Sequence, residues 1–225
     1  FIIITHNYNM NFLLQTSHSN LKAEIAVTGS KSETNRLLLL QALFPNISLA
    51  NTSNSDDSEV MQQALKGNEE IVDIHHAGTA MRFLTAYFAV NEGREVVLTG
   101  SQRMTERPIK VLVEALEQLG AKISYEKEVG YPPIRIKGQK ITASKVNIPA
   151  NVSSQYISAL LLVAPKLENG IEITLVGEIT SVPYIKMTLA LLNDLDIKTS
   201  FEGNVITVYP KQEVASKIMT VESDW

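Results

Sequence analysis

The sequence predicts a mixed α/β (α+β) domain built from a repeated unit, and three observations carry that prediction. Short β-type runs alternate with helix-signalled segments along the whole chain. One order of strand, Pro-initiated helix, strand and strand occurs twice with matching residues. Hydrophobic residues make up 44% and charged residues 20%, enough apolar surface for a sizeable core, although the 225 residues contain no cysteine.

The elements follow in order. Glu24–Val27 reads as a strand, and Ser30-Lys31-Ser32-Glu33 is a capping-box pattern ahead of the apolar run Leu37–Leu40. Ile47–Ala50 is a strand. Ser55-Asp56-Asp57-Ser58 places acidic residues at a second helix start, and Gly67 ends that helix. After a strand at Ile71–Ile74, Gly78-Thr79-Ala80-Met81-Arg82 opens an apolar helix reaching about Val90. Val96–Thr99 is a strand. Pro108 sits at a first helical position, with Ile109, Leu112, Val113, Leu116 and Leu119 on one face and Gly120 closing the helix.

Lys122–Tyr125, Ile134–Lys137 and Lys145–Ile148 are strands. Ser153-Ser154-Gln155 opens a helix that ends before Pro165, and Ile171–Val176 is a strand. Pro183 starts a sixth helix with Ile185, Leu189, Leu192 and Leu195 inward, followed by strands at Lys198–Phe201 and Val205–Val208. Ile218–Val221 reads as a last strand. Glu222–Trp225 then stops without a turn or cap, as expected of the middle of a longer polypeptide.

The repeat is readable residue by residue. Glu95-Val-Val-Leu-Thr-Gly100 leads to one Pro-initiated helix and a strand pair; Glu172-Ile-Thr-Leu-Val-Gly177 leads to another. Lys110 matches Lys186 and Lys122 matches Lys198 at the same offset, and a weaker echo lies around Ile47–Leu65. A supersecondary unit used about three times is the expectation.

The formal net charge of −4 argues against nucleic acid or an anionic membrane as partner, since both favour a basic face. Phe1-Ile-Ile-Ile-Thr-His-Asn lacks the basic start and long apolar core of a signal peptide, and no stretch has the length of a membrane span. A cytoplasmic protein is expected. His75 and His76, adjacent on an expected strand, would point to opposite faces, which argues against joint metal binding.

Chemistry concentrates at helix starts. Thr28-Gly29-Ser30-Lys31-Ser32 presents backbone N–H groups, and Lys31, Ser32 and Arg36 share one corner. It is not a Walker A loop, because that spacing is absent. The plain alternative is a capped helix with solvated Lys31 and Arg36. Gly78 allows a ligand close to the backbone, while Arg82 reads best as a structural ion pair. Arg103 and Arg107 precede a helix start, where guanidinium and dipole act together on an anion, or else form a solvated charge run. Ser153, Ser154 and Gln155, and then Ser181 and Tyr184, put polar side chains at two further starts, a pattern that capping alone also produces.

In that order and at those separations, Gly29-Ser-Lys31-Ser32-x-x-Asn35-Arg36, Ala77-Gly78-Thr79-Ala-Met-Arg82, Arg103-x-x-Glu-Arg107-Pro108, Ser153-Ser154-Gln155 and Ser181-x-Pro-Tyr184 resemble the motifs of the EPSP synthases. Asp56-Asp57 also sits where that family has an Asp pair. The resemblance runs from about Lys22 to the chain end. It implies an inside-out α/β barrel domain of three βαβαββ units over residues 22–221, with residues 1–21 belonging to a second domain and 222–225 to a crossover toward it. It implies transfer of the enolpyruvyl group of phosphoenolpyruvate to the 5-hydroxyl of shikimate 3-phosphate, a step of aromatic amino acid biosynthesis, in a monomer that needs no cofactor or metal.

Carried over by motif, Lys31, Ser32, Arg36, Ser153, Ser154, Gln155, Ser181 and Tyr184 hold shikimate 3-phosphate. Lys31, Gly78, Arg107 and Gln155 meet phosphoenolpyruvate. Two departures stand out: His75-His76 replaces the usual Gly-Asn, and Thr28 stands where proline is common. Family members are about twice as long, and their acid–base Asp, Glu and Lys lie in the other half, so this half alone is expected to be inactive. UDP-N-acetylglucosamine enolpyruvyl transferase is a related reading, disfavoured by the lack of a Cys general acid. A non-catalytic anion-binding module is a reading of another class.

Overall fold

A computed structural model describes residues 22 and 24–223, together with the backbone of two short strands, β1 (Thr5–His6) and β2 (Phe12–Leu13), which pair antiparallel. The remaining elements are α1 (Lys31–Leu43), β3 (Ile47–Ala50), α2 (Asp56–Lys66), β4 (Ile71–Asp73), α3 (Gly78–Val90), β5 (Glu95–Thr99), α4 (Gln102–Thr105) and α5 (Lys110–Gln118). There follow β6 (Lys122–Tyr125), β7 (Ile134–Lys137), β8 (Lys145–Pro149), α6 (Ser154–Val163), a 3-10 turn at Ala164–Lys166, β9 (Ile171–Val176), α7 (Val182–Asn193), β10 (Thr199–Glu202), β11 (Val205–Val208) and β12 (Lys217–Thr220).

The repeat is real in three dimensions. β4 and β5 run parallel, β7 adds antiparallel to β5, and β6 flanks β7. β8, β9, β11 and β10 have the same order and the same directions. A helix joins the two parallel strands of each sheet, and a second helix leads into its hairpin, so the βαβαββ unit is complete twice. The third place is abbreviated. α1, β3 and α2 hold the corresponding positions, with β12 returning from the far end of the chain to pair parallel with β3. After α2 the chain passes through Gly67–Glu70 straight into β4, without the hairpin that follows α5 and α7.

The first helices of the three units form the centre. α3 buries eleven of its thirteen residues and α6 nine of its ten, so both are apolar nearly all round and belong inside the layers. α1 buries the unbroken run Thr34–Leu40. α5, by contrast, buries only the stripe Leu112, Val113, Ala115 and Leu116. Sheets therefore lie outside and helices inside.

Three sequence expectations change here. Glu24–Val27 forms no ladder: Ile25 is 79% exposed, and the parallel neighbour of β3 is β12 instead. The fourth long helix starts at Lys110 rather than Pro108, with Ile109 as its N-cap, because the Pro108 carbonyl is bonded across to other helices. α4, a single turn pinned by buried Met104, was not expected. The reading of Phe1–Thr5 falls mostly outside the described residues, as do Asp224 and Trp225.

The segments before α1 and after β12 meet at the start of α1. Ser30 N–H donates to Glu222 O at 2.7 Å, and the Glu33 carboxylate accepts from Glu222 N–H at 3.2 Å. Gly29 is required at this crossing, since a Cβ would run into Asn51 O and approach the Val221 side chain at 2.7 Å.

Leu160, fully buried in α6, tests the central layer. Leu160→Ala is expected to lower unfolding free energy in urea by about 2–5 kcal/mol. Val176→Ala, at an exposed position of β9, is expected to change it by less than about 0.5 kcal/mol. Equal effects would contradict an inside-out core.

Candidate anion-binding site

The helices of the centre point the same way, and side-chain bonds between equivalent turns show it. Gln155 Nε2, in the first turn of α6, donates to Thr79 Oγ1, in the first turn of α3, at 3.1 Å. Ser58 Oγ of α2 donates to Asn35 Oδ1 of α1 at 2.8 Å. Arg36 of α1 bonds both Ser158 of α6 and Thr188 of α7. N-termini are thus gathered at one end of the layer, where their unpaired N–H groups and dipoles favour an anion.

Arg36 is the centre of one corner. It is 2% exposed, and its Nη1, Nη2 and Nε donate to Ser32 O at 2.7 Å, Ser158 Oγ at 3.1 Å and Thr188 Oγ1 at 2.8 Å. Phe83 and Tyr184 present their rings to its Cζ at 5.4 and 5.9 Å from the centroids. Burial pulls its pKa down to about 10, with Tyr184 acting in the opposite direction, so the group stays charged at neutral pH. The solvated arginine of the plain sequence reading is therefore not what the fold builds. Around it, Lys31 is half-exposed with Nζ 4.0 Å from Asp57 Oδ1, and Tyr184 is 46% exposed at the start of α7. Ser181, the N-cap of α7, is held at φ 56°, ψ 34°, a left-handed conformation that costs a non-glycine residue energy and often accompanies a functional site.

A second corner lies at the start of α3. The Arg107 guanidinium covers Gly78 so closely that a Cβ there would collide with Nη1 and stand 2.9 Å from Cζ. Beneath it, Arg82 is 4% exposed and donates to Gly78 O at 2.9 Å and Pro108 O at 3.3 Å, with its Nε buried and unpartnered. Tyr156 OH also donates to Pro108 O, at 2.7 Å, and its ring lies 5.7 Å from Arg82 Cζ. Burial lowers the Arg82 pKa; Tyr156 acts against that, and the charge of Arg107 adds a smaller push downward. The ion pair expected of Arg82 is not formed among the described residues. Among the described residues none of the ion pairs includes Arg36, Arg82 or Arg107.

An open cavity of about 750 Å³ adjoins this corner, lined by His76, Ser101, Arg103, Met104 and Arg107. Arg103 and Arg107 are thus brought to one cavity rather than left as a charge run. His75 and His76 lie in a turn after β4, not on the strand. His75 has φ 50°, and His76 Nε2 is 4.0 Å from Asp56 Oδ2. Ser153 caps α6 by accepting from Gln155 N–H at 3.4 Å, and Ser154 is buried. Among the described residues no group of three His, Asp or Glu side chains could hold a metal ion.

Sequence reasoning quoted Thr79 within a motif without giving it a role, and missed Tyr156, Ser158 and Thr188. Their only signal is a polar or hydroxyl-bearing side chain inside an otherwise apolar helical run, which many buried back-bonding residues share.

Because the Gly78–Arg107 contact is so close, Gly78→Ala is expected to displace the guanidinium and weaken binding of an inorganic dianion at this corner by roughly tenfold. Sulfate titration followed by the amide resonances of residues 78 and 107 would measure it. Tyr156→Phe is expected to weaken sulfate at the same corner less, by a few fold, since Arg82 still holds Pro108 O. An unchanged sulfate affinity for Gly78→Ala would remove Arg107 from the site.

Comparisons with known proteins bear on the family and the fold. The model of the EPSP synthase (3-phosphoshikimate 1-carboxyvinyltransferase) family matches residues 51–225. A 3-phosphoshikimate 1-carboxyvinyltransferase of Bacteroides fragilis (strain YCH46) is 45% identical over 217 residues, covering 96% of this chain and 52% of the relative. One from Actinobacillus pleuropneumoniae serotype 5b (strain L20) is 40% identical, covering 80% of this chain and 48% of the relative. The chain spans about half the length of the curated relatives it matches. The solved EPSP synthase of Acinetobacter baumannii superposes with a TM-score of 0.72 at 21% identity, over 89% of this chain and 49% of that one, a likeness of fold. Motif order, inside-out architecture and homology lead to one conclusion: this chain belongs to the EPSP synthase (3-phosphoshikimate 1-carboxyvinyltransferase) family.

Proposed function

We propose that this chain supplies one wall of an active site that transfers the enolpyruvyl group of phosphoenolpyruvate to shikimate 3-phosphate, with release of phosphate. One observation carries the reading. Two buried guanidinium groups, Arg36 and Arg82, stand at gathered helix N-termini, and among the described residues no carboxylate pairs with either. A buried cation without a counterion is costly, and a bound phosphate offsets that cost. Two such corners suit two phosphorylated substrates.

In this proposal Arg36, Ser32, Ser153, Ser154, Ser181 and Tyr184 hold shikimate 3-phosphate around the α1, α6 and α7 starts. Arg107 takes the phosphate of phosphoenolpyruvate over Gly78, where the missing side chain leaves room. Lys31 and Gln155 serve both ligands in this proposal; Gln155 is already tied to Thr79, at the start of α3. The 5-hydroxyl gives up its proton to a base as its oxygen bonds to the vinyl carbon that carries the phosphate, while an acid delivers a proton to the methylene group. Loss of a proton and of phosphate then restores the double bond. Positive potential toward the departing phosphate, and fixed geometry between two reactants, are what this half contributes. The proton-transfer groups come from the remaining half of a two-domain polypeptide, and no metal or redox cofactor is needed for such a transfer. The described residues hold no helix long and apolar enough to cross a membrane.

The test is phosphate release from shikimate 3-phosphate plus phosphoenolpyruvate by this chain alone and by this chain fused to the second half of the Bacteroides fragilis relative. Binding of shikimate 3-phosphate by calorimetry is measured in parallel. Binding by the chain with release only by the fusion is expected, and Lys31→Met should slow the fusion by roughly 10²-fold. Absence of shikimate 3-phosphate binding in both would sink the proposal, and sulfate binding alone would then favour a simple anion-binding module.

A further inference from the structure

We propose that Ser158 and Thr188 are positioning residues that fix the Arg36 guanidinium as an un-neutralised cation for the phosphorylated substrate, a proposal that rests on the function just argued. Neither residue belongs to the motifs. Both lie on the buried faces of helices, and both are fully buried.

The hydroxyl protons can be placed from the geometry. Thr188 Oγ1 lies 2.9 Å from Tyr184 O, which can only accept, so the Thr188 proton goes there. Thr188 Oγ1 must then accept from both remaining neighbours, Arg36 Nε at 2.8 Å and Ser158 Oγ at 2.9 Å. Ser158 therefore donates to Thr188, and its lone pairs are left to accept from Arg36 Nη2 at 3.1 Å. With Ser32 O receiving Nη1 at 2.7 Å, every nitrogen of the guanidinium is anchored.

The anchors are all neutral oxygens. A carboxylate at either hydroxyl position would hold the guanidinium equally well but cancel its charge. Hydroxyls satisfy three of its five N–H groups with the carbonyl and leave the full charge in place. One N–H on each terminal nitrogen is not used by these anchors, which leaves donor capacity for a ligand oxygen. The cost of holding this cation in the interior shows in its lowered pKa, whose first cause is burial. Thr188 also fixes the Tyr184 carbonyl, so one hydroxyl ties the guanidinium to the turn of α7 that begins at Ser181.

The test uses near-isosteric variants of this chain. Thr188→Val removes the hydroxyl and keeps the shape; Thr188→Ser restores it; Ser158→Ala removes the second anchor. Calorimetry reads shikimate 3-phosphate affinity, and sulfate titration at residues 78 and 107 serves as an internal control for the other corner. Thr188→Val and Ser158→Ala are each expected to weaken shikimate 3-phosphate about tenfold while leaving sulfate binding unchanged, with Thr188→Ser close to the parent.

Normal shikimate 3-phosphate affinity in Thr188→Val overturns the inference, as does an equal loss at both corners, which would mark general loosening. Arg36→Gln separates the two levels of argument. Loss of binding in Arg36→Gln with none in Thr188→Val leaves the site reading intact and removes only the positioning role. Unaltered binding in Arg36→Gln overturns both.

Discussion

Everything in this domain turns on cations held in the interior with no carboxylate partner among the described residues. Arg36 and Arg82 are almost wholly buried, yet their hydrogen bonds go to carbonyls and hydroxyls. A protein selected only for stability would pair such charges or replace them with apolar residues. Keeping them charged and unpaired, at the positive ends of helices, builds a potential that a dianion relieves. Aromatic rings beside both guanidinium groups soften the cost without removing the charge.

The inside-out packing makes that arrangement possible. A helix in the middle of a domain must be apolar on nearly every face, as α3 and α6 are, so its only wet part is its end. Repetition of one unit turns those ends the same way. Hydrogen bonds between equivalent turns, such as Gln155 to Thr79 and Arg36 to Ser158, then lock the N-termini into register. The abbreviated third unit still supplies α1 and α2 to this end, because what it lacks is the peripheral hairpin rather than a central helix. β12 closes the side of β3 that a local strand would otherwise occupy.

Much of this was legible along the chain. Boundaries of β3, α3, β6, β7, β9 and β11 follow from apolar runs closed by turn residues, and the glycines at 29 and 78 mark close approaches at two helix starts. The errors share a cause. Glu24–Val27 has strand composition but no partner, and pairing is decided by another segment 190 or so residues away in sequence. The Pro108 carbonyl is claimed by Arg82 and Tyr156, which delays the helix. His75-His76 sits in a turn because Asp73 caps it, its Oδ1 accepting from His75 N–H at 2.8 Å.

Local sequence, then, determined the class of fold, the repeat, the helix starts and the family, since each rests on short-range patterns: periodicity, capping residues and motif spacing. It also named the candidate ligand residues. Only the tertiary structure decided which arginines are buried, that none of Arg36, Arg82 and Arg107 is paired among the described residues, and that Thr188 and Ser158 clamp one of them. Burial and charge compensation depend on contacts between helices more than a hundred residues apart, 122 for Arg36 to Ser158 and 152 for Arg36 to Thr188, and no local pattern encodes them.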